Sequence, residues 1–353
     1  MPSTYFGQRL MKSFYSNGKL LLTGEYTVLD GALSLALPTK YGQSLSAKEV
    51  DSNELQWISY DENGGIWFED TFNLSVSEHT PKGQSSFSPG TNHITVGFND
   101  QAQHKSREAR TISETLSKIL GEAQKLNPEF LQNAKGYAIE TKMTFPRDWG
   151  LGSSSTLINN IAQWAEVDAY GLLWNAFSGS GYDIACAQHN RPILYRLEKE
   201  KPYTHQGGMP PWPIAKVEEV DFNPPFHDKL YFIHLNKKQN SGEGIAAYRK
   251  KDFDKAKLIE QVSEITRKTV SCKSLSEFES LMTEHETLLS RILQMPSVKE
   301  LLFPDFRGSI KSLGAWGGDF VLATGDETTP SYFEGLGYGT VVPYAEMVLE
   351  PGG

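Results

Sequence analysis

The stretch Phe145–Ala165, FPRDWGLGSSSTLINNIAQWA, joins a glycine-serine loop to an amphipathic segment. Gly150 and Gly152 carry no Cβ, so the backbone of this loop can come close to a bound anion. Leu157 and Ile161 recur at helical spacing and predict a helix with one buried face. Because a helix N-terminus presents unpaired amides and the positive end of the helix dipole, the stretch predicts a phosphate-binding loop. A serine N-cap without any ligand is the alternative.

Other glycine motifs fit this stretch less well. A dinucleotide-binding fingerprint needs a third glycine where Ser155 stands, and the P-loop motif needs Gly-Lys followed by serine or threonine. Gly18-Lys19 is followed by Leu20 instead. A hydrolase nucleophile elbow needs glycine two residues away on both sides of the serine, and no serine in this loop or in 178–181 has that arrangement.

Length and composition indicate an ordinary globular protein. The chain has 353 residues, of which 39% are hydrophobic and 22% charged, and this length has room for two domains with a core each. The Pro- and Gly-rich span between Lys201 and Pro213 is typical of a linker or crossing loop. We therefore predict an N-terminal domain over residues 1–210 and a smaller C-terminal domain over residues 211–353.

Charge and cysteine content limit the classes of partner and metal site that the chain can be expected to have. A net charge of −9 argues against nucleic acid as a partner, which would need a clustered excess of lysine and arginine. Cys186 and Cys272 are too few for a disulfide framework or zinc cluster. No apolar run is long enough to span a bilayer, and the N-terminus lacks a secretory pattern. These features predict a cytoplasmic protein without a membrane partner, acting as a monomer or a homodimer.

Periodicity predicts alternating strands and helices. Asn17-Gly18 indicates a turn between two short strands, and Asn63-Gly64-Gly65 indicates a hairpin. A polar region from His79 to His104 is typical of a loop. The predicted helices span residues 111–126, 253–272 and 275–295. The later strand-like segments span residues 137–144, 230–235 and 339–343. Two further glycine-rich segments lie at 178–185 and 309–324, the second leading into a buried strand.

The order of these motifs resembles the GHMP superfamily, the small-molecule kinases named for galactokinase, homoserine kinase, mevalonate kinase and phosphomevalonate kinase. The resemblance covers nearly the whole chain. It depends on GKL at 18–20, GEY at 24–26, GLGSSS at 150–155 and KSLGAWGGD at 311–319. GEY, GSGYD at 179–183 and the GGD ending look most similar to the phosphomevalonate kinase branch. The implied fold is α+β with two domains, an N-terminal ribosomal protein S5 domain 2-like α/β domain and a C-terminal ferredoxin-like α+β domain.

The resemblance also implies ATP and Mg²⁺ as cofactors. It places the nucleotide phosphates on two backbone segments, formed by Gly150, Leu151, Gly152, Ser153, Ser154 and Ser155 and by Gly314, Gly317 and Gly318. It assigns the Mg²⁺ to the hydroxyl of Ser154. Asp183 would accept or orient the proton of the substrate hydroxyl, and Lys19 would stabilise negative charge beside it. A capping aspartate and a solvated lysine are the alternatives.

The acceptor is expected to contact four residues, Glu25, Tyr26, Ser180 and Gly181. A phosphorylated acceptor would also need basic groups, for which Arg147, Lys237, Lys238 and Arg196 are candidates, although such residues are more often solvated surface charges.

Three residues depart from the family pattern. Leu172 stands where mevalonate kinases carry a Mg²⁺-binding glutamate, Trp316 stands where the family normally has glycine, and Asp148 precedes the phosphate loop. These departures concern the acceptor and the metal more than the fold.

The sequence thus predicts an ATP-dependent phosphotransferase of the mevalonate (isoprenoid) pathway, with phosphomevalonate as the favoured small-molecule substrate. Mevalonate kinase, or another GHMP kinase, is the nearest alternative. A related decarboxylase and a nucleotide-binding regulator without catalysis are further ones.

Overall fold

The computed structural model describes residues 11–78, 92–98, 106–132, 135–198, 212–238 and 241–349. The chain forms two compact units. The first comprises Met1–Ser16, Gln43–Thr144 and Ser154–Ser178, and the second comprises Asn17–Gly42, Phe145–Ser153 and Gly179–Gly353.

Runs of strands and runs of helices follow one another along the described chain. The strands are β1 (Met11–Thr23), β2 (Ser34–Val50), β3 (Glu54–Tyr60), β4 (Ile66–Glu78), β5 (Asn92–Phe98), β6 (Gly136–Met143), β7 (Ile193–Glu198), β8 (Ile214–Glu219), β9 (Leu230–His234), β10 (Ile310–Leu313), β11 (Phe320–Thr324) and β12 (Val341–Pro343). The helices are α1 (Arg107–Leu126), α2 (Ser153–Ala165), α3 (Ala169–Ala176), α4 (Tyr182–Gln188), α5 (Ser241–Arg249), α6 (Lys255–Ser271), α7 (Leu275–Leu293), α8 (Val298–Leu302), α9 (Thr329–Gly335) and α10 (Tyr344–Met347).

The sheet of the first unit contains β5, β4, β3, β6 and the C-terminal half of β2 in that order. Pairing is antiparallel except between β3 and β6, which run parallel. The predicted hairpin at residues 63–65 is confirmed, since β3 and β4 pair across it. Gly64 has a φ of +83° there, and Asp61 accepts a hydrogen bond from the Gly65 amide at 2.7 Å. Such a φ is readily available only to glycine.

Helices α1 and α2 supply the packing of this unit. Ser106 caps α1 by accepting from the Ala109 amide at 3.1 Å. Trp164 of α2 packs edge-on against Phe130 and Tyr137, with ring centroids 4.8 and 5.4 Å apart. The predicted helix after the glycine-serine loop is confirmed, but the single buried face is wrong, because the consecutive residues Ile158–Ala162 are all buried while Leu157 is half-buried.

The second unit contains an antiparallel sheet with the strand order β10-β11-β9-β12. All five residues of β11 are buried, in agreement with the predicted buried strand after the third glycine segment. Phe303 and Phe333 stack edge to face at 5.0 Å in the core that covers this sheet, beside Ile233 and Val321. In this unit, β7 pairs with β8 and with the N-terminal residues of β2.

The turn predicted at Asn17-Gly18 is wrong, because β1 runs through these residues without interruption. A Cβ on Gly18 would lie 2.6 Å from the Thr39 hydroxyl and 3.0 Å from the carbonyl oxygens of Tyr41 and Leu151. Glycine is needed here for a close approach of backbones and not for a turn.

Two other predictions concern regions beyond the described residues. The domain boundary near residue 210 lies in 199–211, and the parts 79–91 and 99–104 of the loop predicted from His79 to His104 also fall outside the residues that the structure describes. Between them, Asn92–Phe98 forms β5 and pairs with β4, so the loop prediction is wrong over these residues. The boundary stays a prediction. Among the helices of the described ranges, none has both the length and the apolar character that crossing a membrane requires.

Candidate active site

The phosphate loop, which begins at Gly150, is positioned by Trp149 just before it. Its indole packs edge to face against Phe320 of β11 at 5.4 Å and against Tyr41 at 5.2 Å. The loop then turns through Gly150 and Gly152, whose φ values are +66° and +91°. Residues with a Cβ rarely adopt such φ values, so the backbone conformation requires glycine at both positions. The close approach of a ligand would require it as well.

Lys19 on β1 is bound to this loop at two points. Its amide donates to the Leu151 carbonyl at 3.0 Å, and its ammonium donates to the Gly150 carbonyl at 2.8 Å. Both bonds lie within the second unit. The predicted charge-stabilising lysine is therefore held directly at the glycine turn.

Asp183 is presented by the start of α4. Gly181 precedes this helix with a φ of +86°, and Asp183 lies in the first turn, where it accepts from the Ile184 amide at 3.2 Å. The Lys19 ammonium lies 5.8 Å from the centre of the neighbouring Tyr182 ring. The structure thus brings Lys19, Asp183 and the Gly150 turn together.

Electrostatic coupling supports the same grouping. Burial raises the pKa of Asp183, and the positive charge of Lys19 partly offsets this rise. Burial lowers the pKa of Lys19, but Tyr182, Asp319 and Asp183 together outweigh it, so the pKa lies above its ordinary value. Burial also raises the pKa of Tyr182 to about 12. Lys19 is therefore protonated at neutral pH, and Asp183 is a stronger proton acceptor than an exposed aspartate.

Asp319 is a member of this group to which sequence reasoning gave no role. Its carboxylate lies against Gly150, at the position that a Cβ on that glycine would occupy. Its own φ is +48°, and its backbone is fixed by a 3.0 Å bond to the Lys237 carbonyl and a 2.8 Å bond from the Leu235 amide. The GGD ending at 317–319 was the available signal, although it gives no indication of which group Asp319 meets.

The third glycine loop, residues 314–318, connects β10 to β11. Gly314 and Gly317 have φ values of +76° and +77°, and an added Cβ on either would meet no atom of the described residues within 4 Å. The loop closes through a bond from the Gly318 amide to the Ala315 carbonyl at 3.2 Å. Its glycine face is therefore open to a ligand.

Trp316 does not fill this opening. Its side chain is buried in a cluster with Tyr26, Leu289 and Leu293, and its Nε1 donates to the Pro296 carbonyl at 3.1 Å. The indole at a position where glycine is usual therefore belongs to the core, and the backbone approach of the loop is kept.

The four residues predicted to meet the acceptor have buried environments. Glu25 is 1% exposed and pairs with Lys311 at 2.7 Å. Tyr26 accepts from the Trp316 amide at 2.7 Å. Ser180 is buried and its carbonyl accepts from the Tyr195 hydroxyl, while Gly181 begins α4. Their contact with an acceptor stays a prediction.

Basic side chains lie next to the phosphate loop. Arg147, Lys237 and Lys238 are exposed, and the Lys238 ammonium donates to the Arg147 carbonyl at 3.2 Å. Asp148 is exposed as well, and its carbonyl oxygen lies 3.2 Å from the His234 ring. Arg196 is on β7.

The predicted Mg²⁺ site offers few protein ligands among the described residues. Within the described ranges, no cluster of three or more His, Cys, Asp or Glu residues could hold a metal ion. Ser154 at the start of α2 is exposed, Ser155 is buried, and Leu172 is fully buried. Mg²⁺ commonly binds proteins through one or two groups and takes its remaining ligands from water and substrate phosphates, and its binding by Ser154 stays a prediction.

Known proteins resemble this chain in structure. No protein-family model and no curated protein matches the sequence. Mevalonate kinase from Methanococcus jannaschii is 14% identical, with a TM-score of 0.57 over 95% of this chain and 97% of that chain. Lactococcus lactis galactokinase complexed with galactose is 15% identical, with a TM-score of 0.61 over 98% and 97%. Streptococcus pneumoniae phosphomevalonate kinase in complex with phosphomevalonate and AMPPNP is 15% identical, with a TM-score of 0.60 over 96% and 98%. The predicted α+β fold of the GHMP kinases is thereby confirmed.

Proposed function

We propose that this chain is an ATP-dependent kinase that transfers a phosphoryl group to the hydroxyl of a small molecule. One observation carries the proposal: the Lys19 ammonium is bonded to the Gly150 carbonyl at 2.8 Å and coupled to the charges of Asp183 and Asp319. Phosphoryl transfer needs positioned phosphates, neutralised charge and an oriented hydroxyl, and this group of residues can supply all three. The fold shared with small-molecule kinases supports the same reaction.

Asp183 would orient the acceptor hydroxyl and receive its proton. Its raised pKa favours that role, since a base works best when its pKa approaches the working pH. Lys19 would stabilise negative charge that develops on the transferred group, and its bond to the Gly150 carbonyl keeps the ammonium at the loop.

ATP would bind through backbone groups. The amides of Gly150–Ser155 and the start of α2 would face its phosphates, and the open glycine face at Gly314 and Gly317 would admit it from the third loop. Gly318, also predicted to contact the nucleotide, is buried, and its amide is bonded to the Ala315 carbonyl. The exposed Ser154 hydroxyl would hold Mg²⁺, which neutralises phosphate charge when bound.

Phosphomevalonate is the acceptor we favour. The exposed cations Arg147, Lys237 and Lys238 beside the phosphate loop support an acceptor that is itself phosphorylated. Mevalonate is the second candidate, favoured by the fold shared with mevalonate kinases. A regulator without catalysis is less favoured, because a merely nucleotide-binding protein has no need of Asp183 beside Lys19.

The test is ADP release by the purified protein with ATP and Mg²⁺ against mevalonate, 5-phosphomevalonate, diphosphomevalonate, homoserine and galactose in parallel. We expect turnover with 5-phosphomevalonate alone. Turnover with mevalonate alone would show that the acceptor is mevalonate and not phosphomevalonate, and the kinase assignment would stand. No turnover with any acceptor, while ATP binds, would reject kinase action on this set and favour the regulator.

A further inference from the structure

A cluster of buried ionisable side chains lies under the third glycine loop. Glu25, Lys311 and His285 are each at most 1% exposed, and Glu286 is 4% exposed. The Lys311 ammonium lies 2.7 Å from Glu25 and 3.2 Å from Glu286. All four residues belong to the second unit. Burial of such groups is costly unless they are paired, and here the Lys311 ammonium pairs with both carboxylates.

His285 and Lys311 of this cluster bind the first two residues of the turn Gly24-Glu25-Tyr26. The Gly24 amide donates to Nε2 of His285 at 3.0 Å, and the Glu25 carboxylate receives the Lys311 ammonium. Since Nε2 accepts this bond, the proton of neutral His285 lies on Nδ1. Burial lowers the pKa of His285, and the charge of Lys311 lowers it further, in agreement with a neutral ring.

The third residue of the turn contacts the glycine loop directly. Tyr26 has φ and ψ of 60° and −45°, a conformation that is unfavourable for a tyrosine and persists only when its surroundings impose it. Its hydroxyl accepts from the Trp316 amide at 2.7 Å, and its ring stacks on Tyr248 at 5.5 Å. Lys311 and Trp316 lie five residues apart, on either side of Gly314. The turn is thus connected to β10 before the loop, through Lys311, and to the loop itself, through Trp316.

We propose that Glu25 and Tyr26 are positioning residues, which fix the backbone of the third glycine loop through Lys311 and the Trp316 amide. This role differs from the predicted contact with the acceptor, because it acts through Lys311 and the Trp316 amide. The inference rests on the proposed kinase function only for its effect on turnover. Its structural content, the fixed loop, holds for any ligand of that loop.

The first test measures hydrogen exchange of the loop amides in the protein without ligand. Tyr26→Phe removes the hydroxyl that accepts from Trp316 and keeps the stacked ring, and we expect the Trp316 amide to exchange at least about tenfold faster. Tyr248→Phe is the matched control. It removes a buried tyrosine hydroxyl from the same stacked pair, a hydroxyl that bonds Asp30 at 2.9 Å. The control should leave exchange at Trp316 within twofold of the wild type.

The second test compares the steady-state kinetics of Tyr26→Phe and Glu25→Gln with those of the wild type, under conditions where each variant is folded. We expect kcat/KM to fall about tenfold in both, since a small displacement of a binding loop is enough for such a loss. Glu25→Asp keeps the carboxylate, so its kcat/KM should be higher than that of Glu25→Gln and lower than that of the wild type.

The two tests distinguish failure of the positioning role from failure of the proposed kinase function. Unchanged Trp316 exchange in Tyr26→Phe, or equal acceleration in Tyr248→Phe, would overturn the positioning role, and so would unaltered kinetics in both Tyr26→Phe and Glu25→Gln. Absence of kinase turnover in the wild type would overturn the proposed function alone, because hydrogen exchange of the loop amides, measured in Glu25→Gln as well as in Tyr26→Phe, still decides the inference.

Discussion

The carboxylate of Asp319 lies against Gly150 and fills the space into which any side chain at position 150 would project. This contact joins the end of the third glycine segment to the turn of the phosphate loop, within the second unit. The ammonium of Lys19, which binds the Gly150 carbonyl, is coupled to the charge of the same carboxylate. A residue quoted only as part of a motif is therefore a structural partner of the predicted phosphate-binding turn.

Replacement of Gly150 by alanine should impair ATP binding. The new Cβ would clash with Asp319, and a φ of +66° costs an alanine about 1–2 kcal/mol. We expect the Kd for ATP, measured by isothermal titration calorimetry, to rise at least about tenfold.

A matched glycine replacement controls for a general effect on the fold. Gly121 lies inside α1, and an added Cβ would meet nothing within 4 Å among the described residues. Gly121→Ala should stabilise the protein by about 0.5–1 kcal/mol and leave ATP affinity unchanged. Equal ATP affinity in Gly150→Ala and the wild type would contradict the role of the turn.

Asp183→Asn should abolish most turnover while ATP binding is largely kept. Asparagine preserves the size of the side chain but cannot take up the proton of the acceptor hydroxyl, and general-base catalysis typically contributes about 10²–10⁴-fold. The checks are kcat from ADP release and the Kd for ATP from calorimetry. If kcat stays within twofold of the wild type, Asp183 has no part in the proton transfer.

Trp316 should matter for stability more than for nucleotide binding. Truncation to alanine empties a buried site among Tyr26, Leu289 and Leu293 and should cost about 3–5 kcal/mol in the free energy of unfolding. Trp316→Phe keeps most of the packing but leaves the Pro296 carbonyl without its 3.1 Å donor, at a cost of about 1 kcal/mol. Denaturant titration of both variants tests the order. A Trp316→Ala variant as stable as the wild type would place the indole outside the core.

The cluster around Glu25 predicts a pH dependence of stability. Burial raises the pKa of Glu25 from 4.5 to about 7, with Lys311 opposing the rise. The folded protein therefore retains a proton on Glu25 that the unfolded chain releases, so this group's contribution is complete below pH 4.5 and is lost as pH rises to about 7. Relative to Glu25→Gln, the wild type should lose stability between these pH values and stay level above them.

Denaturant titrations of both proteins across this pH range give the difference. The neighbouring ionisable groups Lys311, Glu286 and His285 are common to both proteins, so the difference isolates Glu25 to a first approximation. A difference that does not change with pH would show that Glu25 has an ordinary pKa in the folded state.

Local patterns were sufficient to predict much of the fold. The helix after the glycine-serine loop, the hairpin at 63–65 and the buried strand after the third glycine segment each follow from periodicity and turn chemistry within one stretch. The turn predicted at Asn17-Gly18 was wrong for a physical reason, since glycine is favoured both in turns and where two backbones approach closely. Only the contacts with Thr39, Tyr41 and Leu151 distinguish the two cases.

Contacts between distant segments could not be derived in this way. Glu25 and Lys311 are 286 residues apart, and nothing in either motif shows that they form a buried pair. The same holds for Asp319 beside Gly150 and for the burial of Trp316. The resemblance to a kinase family supplied which motifs share a site, but the partners of each side chain required the structure.

Transfer of labelled phosphate from γ-labelled ATP to 5-phosphomevalonate is the decisive test of the proposed kinase activity. We predict that label appears on the acceptor with the wild-type protein and Mg²⁺, and that Asp183→Asn yields almost none while still binding ATP. Label that never leaves ATP for this acceptor, or for mevalonate, homoserine or galactose, with ATP bound and the protein folded, would contradict the proposed kinase activity.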